Sequence, residues 1–72
     1  MDTGKKIGML LKEKRLAKGY SLSQVGSIMN KNKSTIYYYE TARISIDVVT
    51  LEKLCGVYGV DFYDFLDEVR RS

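Results

Sequence analysis

Apolar residues along this chain recur at spacings of three and four, the repeat of helices packed by one face, and no stretch alternates with a period of two. Ile7, Leu10 and Leu11 open a first helix running to about Lys18, with residues 2–6 as a lead-in and Gly19 as the left-handed residue that ends it. Ser21 and Gln24 then form a capping box in front of a second helix of about 22–29, whose stripe is Val25, Ile28 and Met29. Asn30-Lys31-Asn32 breaks the pattern. Asn30 tolerates the left-handed conformation of a sharp exit, and Asn32 is a good cap for a third helix of about 33–40. In that helix Ile36, Tyr39 and Glu40 share one face, while Lys33, Ser34, Tyr37, Tyr38 and Thr41 lie on the other. Asp47 caps a fourth helix with the stripe Val48, Leu51, Leu54, Cys55 and Tyr58, ended by Gly59. Asp61 caps a fifth, carrying Phe62, Phe65, Leu66 and Val69, with an acidic first turn and a basic end that both suit its dipole. The pattern predicts an all-α domain over residues 7–69. Helices of about two turns do not nucleate alone, so the segments must bury one another's faces.

Composition changes the picture in three respects. Seventy-two residues allow one domain with a small core. One Cys and no His exclude a disulfide or a Cys/His metal site within the chain, and Cys55 on an apolar face reads as buried and structural. The lone Cys, the lack of an apolar signal core and the lack of a run near 18 apolar residues point to a cytoplasmic protein with no membrane contact. Third, the net charge of +3 is unevenly spread. Residues 1–43 carry +6, and residues 44–72 carry −3. A basic front half containing the short helix pair suits a polyanion, with the acidic half turned away from it.

The stretch from Ser21 to Glu40 resembles the helix-turn-helix of the phage-repressor-like family (the lambda repressor and Cro group, XRE-like in bacteria). The small residue early in the first helix of the motif is Gly26, flanked by Val25 and Met29, and Asn30 stands in the turn. Ile36 and Tyr39 are the large apolar residues of the recognition helix, which closes with Tyr39-Glu40. The similarity runs from about Ile7 to Leu66 and implies a compact five-helix lambda-repressor-like DNA-binding domain. Arg15, at i+4 from Leu11, and Glu40, at i+4 from Ile36, both point inward, where a carboxylate needs a partner. The resemblance implies that they form a salt bridge. Four positions depart from the family pattern. Ala42 replaces a usual Gly, Ile46 a usual Pro, Leu22 a usual DNA-contacting Gln and Lys31 a usual apolar residue.

The implied function is sequence-specific binding of double-stranded DNA by a transcriptional regulator, a repressor, that inserts helix 33–40 into the major groove. Lys33, Ser34 and Tyr38 match the family's base-reading positions, and Asn32 and Tyr37 share their face. Ser21 and Ser23 at the start of the second helix, with Lys31 and Arg43, are the phosphate candidates. Such modules commonly act as homodimers, and with no room for a separate oligomerisation domain the candidates are Ile44, Phe62, Tyr63, Phe65 and Val69. No cofactor, metal or small-molecule ligand is expected. The competing reading is a helical protein-binding module such as an antitoxin or antagonist, which the exposed tyrosines and Leu22 would also suit. An enzyme is the least supported class, since the chain lacks His, a Gly-rich phosphate loop and any inward cluster of carboxylates.

Overall fold

The computed structural model describes residues 2–72. Five helices follow in order: α1 (Thr3–Ala17), α2 (Leu22–Met29), α3 (Lys33–Glu40), α4 (Val48–Val57) and α5 (Phe62–Arg71), and the described residues contain no strand. Helix α1 packs against both α3 and α5, α2 against α3, and α4 against α5. One core joins Leu10 and Leu11, Val25, Ile36 and Tyr39, Leu51, Leu54, Cys55 and Tyr58, and Phe65 and Val69.

Helix α1 starts four residues before the apolar stripe. Residues 2–6 are not a lead-in: the Asp2 carboxylate accepts the Lys5 amide at 2.9 Å and caps the helix. Hydrophobic periodicity marks only the packed part of a helix, so a solvated first turn escapes it. Likewise α5 continues through Arg71, where both Arg70 and Arg71 reach the Asp67 carboxylate. Ser21 and Gln24 form the reciprocal capping box, at 3.0 and 2.7 Å, and Asn30 turns the chain at φ 56°. Asn32 has the backbone conformation of a cap, but its side chain makes no capping bond.

Three stripe residues are exposed: Ile28, Val48 and, least of the three, Leu66. In α2 the packed positions are Leu22, Val25, Gly26 and Met29, an arc of about 100° on a helix turning roughly 100° per residue, and Ile28 falls about 110° from its centre. Val48 occupies the first turn of α4, beyond the reach of any covering helix. Of the proposed dimer residues, Phe65 and Val69 are buried in the core and cannot serve an interface, whereas Ile44 and Tyr63 are exposed and Phe62 is half-buried.

Two glycines set distances. Gly26 lies against the turn, where an added Cβ would come within 2.7 Å of the Lys31 carbonyl oxygen, so the close approach is to the turn backbone more than to the body of α3. Gly8, which carries no signal in the periodicity, lies where α1 crosses the end of α3. A Cβ there would meet the Tyr39 carbonyl oxygen at 2.8 Å and the Glu40 carbonyl more closely still.

That crossing is tied by a buried ion pair. Arg15 donates from Nε to one Glu40 oxygen at 2.7 Å and from Nη2 to the other at 3.1 Å. Its third nitrogen donates to the Tyr20 carbonyl at 2.9 Å. The Glu40 bond raises the guanidinium pKa, so the arginine is charged at every accessible pH. Elsewhere in the core, burial pushes the Cys55 thiol up to about 11, which keeps it protonated.

After α3 the chain leaves through Ala42 at φ 59°, a left-handed conformation disfavoured for a residue with a Cβ by ~1–2 kcal/mol.

Three stability outcomes follow from this packing. Glu40→Ala leaves Arg15 charged and unpaired in the core and lowers unfolding free energy by ~3 kcal/mol, read from the urea midpoint. Gly8→Ala forces α1 off α3 and costs ~3 kcal/mol in the same measurement, because the obstruction is backbone. Ala42→Gly relieves the left-handed strain and, after the extra chain entropy glycine brings, raises stability by ~0.5–1 kcal/mol.

Candidate nucleic-acid interface

The core holds α3 by Ile36, Tyr39 and Glu40, so the opposite side of this two-turn helix faces outward. Lys33, Ser34 and Tyr37 are exposed and Tyr38 is half-buried. These four, with Leu22 from α2 and Arg43 from the α3–α4 loop, line an open concavity of about 360 Å³. The Arg43 guanidinium lies 5.5 Å from the centroid of the Tyr38 ring, and its amide donates to the Tyr38 carbonyl at 2.9 Å. Tyr37 and Tyr38 approach with centroids 6.0 Å apart. The loop cation is thus folded back over α3.

The remaining candidates are distributed differently. Asn32 and Lys31 line a second, more polar hollow with Gly26, Ser27, Asn30 and Thr35, on the turn side of the motif. Asn32, free of any capping bond, keeps its amide available there. Lys31 sits near Asp47, whose carboxyl is held below its usual range by its bond with Thr50 first and by Lys31 in a lesser degree. Ser21 and Ser23 lie at the start of α2. The capping box uses the Ser21 amide as a donor and its hydroxyl oxygen as an acceptor, so the backbone donors left for an anion in that turn are the amides of Leu22 and Ser23. Leu22 and Thr35 line these hollows without having stood among the candidate contacts. At Leu22 the family resemblance implies only the absence of a DNA-contacting Gln, and Thr35 carries no signal in the helical pattern.

Charge follows the same division. Arg15 is neutralised by Glu40 inside the core, and Lys14 pairs with Glu68 on α5 at 2.9 Å. Among the described residues none of the ion pairs involves Lys31, Lys33 or Arg43. Glu68 pairs with Lys14, Asp67 with Arg70 and Arg71, and Asp61 caps α5, and no carboxylate lines either hollow beside α3. The outward face of α2 and α3 is therefore cationic and ringed by hydroxyl and amide donors.

This architecture and chain match known proteins. A family model described as helix-turn-helix matches residues 11–65. A protein of Aeropyrum pernix, described as a candidate HTH-type transcriptional regulatory protein, is 35% identical over 57 residues, which cover 79% of this chain. The match spans only 17% of that relative's length. The crystal structure of the clp gene regulator ClgR from C. glutamicum superposes with a TM-score of 0.88 over 97% of this chain and 91% of its own, at 20% identity, a likeness of fold. With the matched segment taking in α2, the turn and α3 whole, the chain belongs to the XRE-like helix-turn-helix family of DNA-binding regulators.

Proposed function

We propose that this domain binds double-stranded DNA in a sequence-specific manner and acts as a transcriptional regulator, a repressor, from the cytoplasm. The observation that carries the reading is the outward side of α3: Lys33 and Arg43 without carboxylate partners, and Ser34, Tyr37 and Tyr38 presented between them. A helix of this size enters the major groove, where Lys33 donates to guanine O6 and N7 and Ser34 donates or accepts. Asn32 contributes its amide from the turn side. Arg43, the Ser23 amide and Ser23 hydroxyl are the phosphate contacts at the two ends of the motif, with Lys31 shared between a phosphate and Asp47. Ser21 acts by holding the α2 start open through its capping box. No catalytic role belongs to this reading.

A homodimer on half-sites roughly 34 Å apart suits a module with so few base contacts. Ile44 and Tyr63, both exposed, and Phe62, stacked edge-on to Tyr63, are the residues we assign to that contact. The exposed Ile44, Val48 and Val49 also favour a second reading, in which this apolar surface engages a different protein. A stoichiometric partner copurifying with a chain that has no duplex affinity is the result that reading requires.

Mobility shifts on duplexes selected from a random pool test the first reading. The selected site is expected to show two-fold symmetry. Lys33→Ala relaxes the preference at one base pair by ~1–3 kcal/mol, whereas Arg43→Ala weakens all duplexes alike and lowers the slope of log K against log salt by about 1. Equal weak binding to every duplex at moderate salt overturns it.

A further inference from the structure

The concavity between α2 and α3 has an apolar floor that hydrogen bonding and phosphate contact leave unused. Leu22, half-buried, forms one wall, and the rings of Tyr37 and Tyr38 form the other. Leu22 packs partly against the core, which accounts for one side of its hydrocarbon but not for the side turned into the hollow. Lys33 and Arg43 flank the opening, and no carboxylate lines it, so the occupant is an anionic molecule that presents a small apolar group. In the major groove of a duplex that group is the thymine 5-methyl, the one hydrocarbon protruding from a base edge there.

We propose that Leu22, Tyr37 and Tyr38 form a receptor for a thymine 5-methyl group, making the pair opposite the start of α2 a preferred A·T or T·A read by apolar contact. The inference rests on the DNA-binding reading and deepens it: Leu22 is a specificity determinant, where the sequence pattern suggested only a lost polar contact. The receptor is formed before DNA arrives. Arg43 lies over the Tyr38 ring, Tyr37 leans on the same ring, and Leu22 is fixed at the first position of a capped helix.

The test uses the selected duplex with each thymine replaced singly by deoxyuridine, which removes the methyl and nothing else. The intact protein should bind about fourfold more weakly with deoxyuridine at one position per half-site, the worth of one buried methyl, and about equally at the others. In Leu22→Gln that ratio returns to about one while the circular dichroism spectrum stays that of the folded helical domain, with a thermal midpoint lowered only by the part of Leu22 that packs on the core. Tyr37→Ala, altered at an exposed ring, should reduce the ratio in the same direction. Sequence-preferring binding with no deoxyuridine-sensitive thymine overturns the receptor and leaves the DNA reading standing, as does a ratio that survives Leu22→Gln. A protein that prefers no duplex overturns both.

Discussion

A charged arginine and a charged glutamate, both buried, decide how α3 is held. Arg15 reaches Glu40 with two nitrogens and Tyr20 with the third, so one side chain ties the end of α1, the chain leading into α2 and the end of α3. A methyl contact at the same place would tolerate rotation of α3 about its axis; a planar fork on a carboxylate does not. Desolvation makes such a pair a weak source of net stability, and its contribution is orientation. Gly8 completes the constraint from the other side by letting the α1 backbone meet the α3 carbonyls directly.

The orientation of the outward face follows from that anchoring. Helix α3 has only eight residues, and three of them, Ile36, Tyr39 and Glu40, are buried. The rest have no choice of surroundings, so Lys33, Ser34, Tyr37 and Tyr38 come out together, and the α2 start and the Arg43 loop close in on either side. Ion pairing inside the protein then sorts the cations. Arg15 and Lys14 are spent on Glu40 and Glu68, and the cations left without an ion pair include those along α3. The asymmetry between a basic front half and an acidic tail half is partly offset within the fold, where Glu68 of α5 meets Lys14 of α1 and Asp67 meets Arg70 and Arg71.

Two of the places where hydrocarbon is exposed have different neighbours. The Leu22–Tyr37–Tyr38 hollow is flanked by cations, as a site for a polyanion must be. Ile44, Val48 and Val49 form the other place, at the entry to α4 beside Asp47, and suit a protein surface better than a nucleic acid. On the proposed reading, one small domain separates a surface for a duplex from a surface for a second chain.

The five-helix plan was legible because most of its signals are local: caps such as Ser21, Asp47 and Asp61, stripes at spacings of three and four, and left-handed residues such as Gly19, Asn30 and Gly59 at helix ends. The inward aim of Arg15 and Glu40 was legible for the same reason, each being one turn from a core residue. Local pattern is silent about solvated turns, so the first turn of α1 went unread, and it cannot say which apolar residues a neighbour covers. Ile28 and Val48 match the repeat and face water, while Phe65 and Val69, offered as interface residues, are consumed by the core. Gly8 and Leu22 show the limit most clearly. Whether a glycine is a spacer between two backbones, or a leucine the wall of a pocket, depends on atoms some thirty or fifteen residues away in the chain, and the folded chain alone brings those atoms within reach.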